Sequence, residues 1–286
     1  MTMRSLDDFR TYADGLDHPE GVAVGPDGSV YAGGEAGQVY SIGAGGSVTE
    51  VARTGGFLLG LAVDGDGMIY ACDTARREVV RVDPRDGTVE TYSAGAPGAP
   101  FRNPNWPVFD DRGNLYVTDS GGWKQDDGHI VVIAPGGATS VWSRDLPRFP
   151  NGACLSADGS ALLVIESLHP GVSRIPIEPD GSAGAASVVC ELPGSVPDGI
   201  AVDESGGFYV ACYRPDRIYY VDAAGTVQVF AEDPQGTVLA APTNVVFVGA
   251  ERRTLLVGSL GRWHLAACEV DVAGVGLRHP QRTNLS

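Results

Sequence analysis

Six copies of one short pattern run along the chain, and their spacing limits the fold more than any other feature. Laid in register, they are PEGVAVGPDGSVYAGG from Pro19, LLGLAVDGDGMIYACD from Leu58, PNWPVFDDRGNLYVTD from Pro104, PNGACLSADGSALLVIE from Pro150, PDGIAVDESGGFYVAC from Pro197 and PTNVVFVGAERRTLLVGS from Pro242. Their second residues, at 20, 59, 105, 151, 198 and 243, lie 39, 46, 46, 47 and 45 positions apart. Each copy reads as a strand, a tight turn and a second strand. The stretch after it, such as REVVRVDPRDGTVETY, supplies another hairpin. Four strands per ~45 residues is the spacing of propeller blades. The sequence therefore predicts an all-β, six-bladed β-propeller over residues 1–286 as a single domain. FRTYADG is expected to complete the last blade and close the ring, and a short tail is expected over about 276–286.

Composition narrows the function classes. With 43% hydrophobic and 20% charged residues the chain can bury a sizeable core. A formal charge of −16 argues against nucleic acid and anionic membranes as partners. Much of the acidity lies in turns such as GPDG, DGDG and DPRDG, where the bland expectation is a solvated surface. The five cysteines, Cys72, Cys154, Cys190, Cys212 and Cys268, are an odd number, widely spaced and mostly within apolar runs. Reduced buried thiols are expected, not a disulfide framework. MTMRSLDDFRTYADG lacks the apolar centre of a signal peptide and no run reaches a membrane span, so a cytoplasmic location is the expectation.

Equivalent positions of successive blades converge on a propeller axis. The second residues of the copies are Glu20, Leu59, Asn105, Asn151, Asp198 and Thr243. Glu20, Asn105, Asn151 and Asp198 carry hard oxygen donors, the type preferred by Ca²⁺, Mg²⁺ and Mn²⁺. Two carboxylates balance one divalent cation, and two amides add oxygens without further charge. Singly, an Asn or Asp beside Pro and Gly is an ordinary turn residue; four in one column, with a Glu among them, point to a metal cluster.

With these motifs in place, the chain resembles the SMP-30/gluconolactonase/luciferin-regenerating-enzyme family over residues from about 17 to 275. The family's Glu-Gly, Asn, Asn-Gly and Asp-Gly motifs match at Glu20, Asn105, Asn151 and Asp198. The resemblance implies a six-bladed propeller with one divalent metal near the axis, Ca²⁺ ahead of Mg²⁺, Mn²⁺ or Zn²⁺, and often lactonase activity on sugar lactones. Family sugar lactonases usually carry PND at the third copy, whereas here Trp106 and Pro107 follow Asn105, which leaves open a sugar lactone or another lactone or ester but does not touch the metal.

The expected chemistry is hydrolysis of a small lactone or ester by metal-activated water. No GxSxG motif or Ser-His-Asp arrangement competes with it. The resemblance also gives Asp198 a possible part as proton acceptor. Asp119 is the second candidate for acid or base, with a hydrogen-bonded strand-end Asp as the alternative, as for Asp73. Substrate contacts are expected from Asn105, Trp106, His169, Arg214, Trp263 and His264, with Arg262 beside them and the Trp123 loop overhanging. Packing or a surface ion pair is the alternative for each. Leu59 and Trp106 are expected to make the mouth apolar. Rival readings are a phosphotriesterase-like hydrolase on the same scaffold and a non-catalytic, metal-stabilised binding propeller.

Overall fold

The structure is a computed structural model and describes residues 2–281. Runs of alternating apolar residues cut by Gly and Asp turns yield short antiparallel strands in six four-stranded sheets, with one two-stranded ribbon of Gly95–Ala96 and Ala99–Pro100 beside them. From the axis outward, the first blade comprises Val22–Val24, Val30–Gly33, Gln38–Ile42 and Val48–Arg53. The second has Leu58–Val63, Ile69–Asp73, Glu78–Val82 and Val89–Ser93. Pro104–Phe109, Leu115–Asp119, His129–Ile133 and Thr139–Ser143 form the third, and Pro150–Leu155, Ala161–Glu166, Gly171–Pro176 and Ser187–Glu191 the fourth. The fifth contains Val196–Val202, Phe208–Arg214, Arg217–Val221 and Val227–Glu232. In the sixth, Pro242–Val248, Thr254–Ser259 and His264–Glu269 are joined by Phe9–Asp14 as the outermost strand.

Phe9 pairs with Cys268 and Asp14 with His264, so Phe9–Asp14 is the fourth strand of the last blade. The inner strands touch one another in chain order, and the sixth touches the first. A blade buries little alone; the apolar faces meet at the seams. Six clusters fill the six seams, one of them joining Val22, Ala32 and Tyr40 to Val246, Leu256 and Leu265.

The turn acids are less solvated than their sequence suggests. Asp64, Asp110 and Asp203 recur where the inner strand turns into the second strand, and all three are buried. Each accepts backbone N–H groups of its own turn, as Asp64 does from Asp66 and Met68. Each also receives a tyrosine hydroxyl, from Tyr70 at 3.0 Å, Tyr116 at 3.4 Å and Tyr220 at 3.0 Å respectively. Charge that looked like surface thus fixes turns from within. The five cysteines are free thiols. Among the described residues no helix is long and apolar enough to cross a membrane.

The C-terminal segment, read from sequence as a tail without a role, is a strap as far as residue 281. Val275 N–H donates to Val202 O at 2.9 Å, His279 Nδ1 lies 2.8 Å from Val63 O, and Gly65 N–H donates to Pro280 O at 2.9 Å. It therefore runs from the fifth blade to the second across one mouth of the axial tunnel. Behind it lies a cavity of about 650 Å³, lined in part by Val22, Leu61, Val108, Val202 and Phe247. The rest of the predicted tail, 282–286, lies outside the described residues.

Candidate functional site

The ring begins with backbone geometry. In the second to sixth blades the pairing of the inner strand shifts register beside the ring residue, at Leu58/Leu61, Pro104/Trp106, Pro150/Ala153, Pro197/Ile200 and Pro242/Val245. Such irregularities release a residue from the strict alternation of a strand and re-aim its side chain. Glycine follows the ring residue in four copies for a reason of space. A Cβ on Gly21 would sit 1.9 Å from Leu59 O, on Gly60 2.7 Å from Asn105 O, on Gly152 2.2 Å from Asp198 O and on Gly199 2.4 Å from Thr243 O. Thr243 Oγ1 donates to Glu20 O at 3.1 Å and closes the circuit. The ring residues are thus stacked backbone to backbone around the axis.

Two serines that the sequence reading passed over orient the amides. Ser120 Oγ donates its single proton to Pro150 O at 2.7 Å, and so can only accept from the Asn105 side chain, whose Nδ2 lies 3.0 Å away. Ser167 does the same one blade on, donating to Pro197 O at 2.7 Å and accepting from Asn151 Nδ2 at 3.1 Å. The amide nitrogens are held at the wall and the oxygens left over. Asn105 Oδ1, Asn151 Oδ1 and Asp198 Oδ1 are buried with no hydrogen-bond partner. Buried polar atoms are rarely left so, and three in one repeat column ask for a positive guest. The signal in the sequence was faint: both serines follow a strand-end acid, in TDS and IES.

The carboxylates tell the same story electrostatically. Burial raises the Glu20 pKa well above its ordinary range, and repulsion from Asp198 and then Glu35 raises it further. Burial pushes Asp198 up to about 8, opposed by a side-chain hydrogen bond with Asn151. Two carboxyls that repel each other in a dry ring, beside two orphan amide oxygens, fit a hard divalent cation, which Glu20, Asn105, Asn151 and Asp198 would hold. The remaining ring residues, Leu59 and Thr243, are buried.

The other residues singled out by sequence are dispersed. Asp119 is fully buried and accepts N–H groups from Arg102, Asn103 and Gly121 at 2.8, 2.8 and 3.1 Å. Asp73 holds Thr54, Phe57 and Arg76 in the equivalent place. Both carboxylates anchor the segments that lead into their inner strands. Trp106 is buried and faces away from the mouth, since it lines the 650 Å³ cavity and its ring edge would lie 3.2 Å from a Cβ added at Gly199. The apolar mouth expected of Trp106 is therefore an apolar floor, because the register shift beside it changes which way it points. His264 belongs to the flank of the sixth blade, with Nε2 3.0 Å from Val238 O. His169, Arg214, Arg262, Trp263 and the Trp123 loop stand on the rim. There Arg214 pairs with Asp216 over the Tyr213 ring, and His169 lies 3.7 Å from Glu166.

Fold and site together define a class: six-bladed propellers whose axis carries a ring of buried oxygen donors. Comparison with known proteins makes this specific. The profile described as SMP-30/Gluconolactonase/LRE-like region matches residues 35–261, and one described as Strictosidine synthase-like, N-terminal, matches residues 4–42. The chain belongs to the SMP-30/gluconolactonase/LRE-like family. It is 32% identical over 172 residues to the protein strictosidine synthase-like 3 of Arabidopsis thaliana, covering 54% of this chain and 43% of that protein. It is 25% identical over 198 residues to a gluconolactonase of Zymomonas mobilis, covering 61% and 51% respectively. The chain thus spans about half the length of the curated relatives it matches. A solved calcium-binding protein, regucalcin from Agrobacterium tumefaciens, shares the fold with a TM-score of 0.76 at 18% identity, over 98% of this chain and 97% of that one.

Proposed function

We propose that the protein is a divalent-metal-dependent hydrolase that opens a small cyclic ester, a lactonase, with Ca²⁺ as the preferred ion. The observation that carries this reading is the set of three buried, unpartnered oxygens on Asn105, Asn151 and Asp198, facing a Glu20 carboxyl that shares their space. Membership of a family that includes gluconolactonases supports the substrate class. A divalent cation there supplies a Lewis acid that polarises an ester carbonyl and acidifies water. The chain's own residues do the rest. Ser120 and Ser167 keep both amide oxygens turned inward, so no reorganisation is needed when charge develops. With one carboxylate oxygen turned to the cation, the other oxygen of Asp198 would accept the proton leaving the attacking water and return it to the departing alkoxide. Trp106 and the apolar cavity behind it limit water on the far side of the ring.

The test is a panel of lactones and phosphotriesters assayed with chelated protein and with added Ca²⁺, Mg²⁺, Mn²⁺ or Zn²⁺. Calcium-restored lactone opening, lost in Asp198→Ala and Asn151→Ala, is the expected result. Hydrolysis of phosphotriesters alone overturns the substrate class. Metal binding without any hydrolysis returns the protein to the binding propellers.

A further inference from the structure

Two aromatic pairs stand on opposite sides of the rim. Trp123, in the loop after the second strand of the third blade, packs edge-on against Phe149, which leads into the fourth, with centroids 4.9 Å apart at 83°. Trp263, in the corresponding loop of the sixth blade, packs against His18, which leads into the first, at 5.8 Å and 63°. In a ring of six blades the third-to-fourth and sixth-to-first seams face each other across the axis. Phe149 and His18 occupy the same repeat column, immediately before the prolines that precede Asn151 and Glu20. Both have left-handed backbones, with φ of 63° and 44°. That conformation is costly for a residue other than glycine and aims both rings at a neighbouring loop.

The tryptophans are 51% and 58% exposed, on the face where the donor ring opens. Several charged groups of this face are already paired with one another: Arg102 with Asp127, Arg148 with Asp126, Arg214 with Asp216, and His18 with Asp17 and Glu35. A polyhydroxylated ligand would find few free partners there. The surface left unclaimed is aromatic and doubled across the mouth. A T-shaped partner covers at most one side of each tryptophan ring, which leaves a face for stacking.

Building on the lactonase reading, we propose that Trp123 and Trp263 are two jaws that select a cyclic ester carrying a flat apolar substituent, an aryl group above all, while the donor ring takes its ester group. The test compares a δ-lactone with and without a phenyl substituent, and a polyhydroxylated lactone, on the calcium-loaded protein. The parent is expected to show the lower KM for the phenyl compound. Trp123→Ala and Trp263→Ala should each shrink that preference by about fivefold, with kcat for the phenyl compound nearly constant, and the Phe variants should restore it. An unchanged preference, equal weakening of all lactones, or a loss confined to the polyhydroxylated one overturns the proposal. If the parent opens no lactone, the lactonase reading falls. The jaws are then judged by tryptophan fluorescence with the phenyl-substituted lactam. Saturable quenching that weakens in either Ala variant supports them, and its absence overturns them.

Discussion

Ser167 Oγ stands 3.1 Å from Asn151 Nδ2 and gives its own proton to the Pro197 carbonyl 2.7 Å away, so one hydroxyl both joins the fourth blade to the fifth and fixes which end of the Asn151 amide meets the axis. Ser167→Ala removes both functions. The substitution leaves a buried carbonyl without its donor and an amide free to turn, at a cost of about 1–3 kcal/mol in stability. Calcium affinity, measured by titration calorimetry, should fall with it. Full affinity in a folded Ser167→Ala variant would contradict the orienting role.

The glycine after the ring residue is required by space. Gly152→Ala would set a methyl 2.2 Å from the Asp198 carbonyl oxygen, and backbone must move to admit it. A loss of about 1–3 kcal/mol is expected in denaturant unfolding. Gly136→Ala, where an added Cβ meets nothing, should stay within about 0.5 kcal/mol and serves as the control.

In chelator, stability should depend on pH through the ring carboxyls. Burial raises Asp198 from 3.8 to about 8, so the folded state prefers the proton more than the unfolded chain does. Its contribution is complete below pH 3.8 and is lost as the pH rises through about 8. Metal-free protein should therefore melt at progressively lower temperature across that interval, and Asp198→Asn should flatten the slope. Excess Ca²⁺ should restore the high-pH limb, because the ion binds the deprotonated ring.

Removing residues 276–286 takes away the His279 and Pro280 contacts to the second blade and the 3.2 Å ion pair of Arg278 with Asp111. The two hydrogen bonds contribute about 1–3 kcal/mol together, and the partly exposed ion pair little. The melting temperature should drop by a few degrees and protease should cut the inner-strand turns sooner. Lactone turnover should persist, since the strap closes the face opposite the rim. Unchanged proteolysis would show that the strap bears no load.

The fold was legible because a propeller repeats its instructions: a strand, a tight turn and a second strand in each of six copies, three of them entered through Pro-x-Gly and five turning at an Asp. The donor column was legible for the same reason, as Glu20 is odd alone and regular beside Asn105, Asn151 and Asp198. Direction was harder to read. Trp106 follows a ring residue, which by sequence alone assigns it to the same mouth, but a register shift at Pro104/Trp106 breaks the parity from which its direction would be inferred. Ser120 and Ser167 were hidden because a serine after a strand-end acid looks like any turn serine. Their importance lies in carbonyls about 30 residues away, on the next blade. Asp119 drew attention as a carboxylate, and only its three backbone donors reveal it as an anchor.

The contacts between Gly21, Gly60, Gly152 and Gly199 and the carbonyls of the following blades carry a consequence for selectivity. With main chain already touching main chain, the circumference has a lower bound set by atomic volume, and the donors cannot close further around a smaller guest. Discrimination by ionic radius would then reside in the peptide scaffold, and exchanging one oxygen-bearing side chain for another would change how tightly an ion is held far more than which size of ion is preferred.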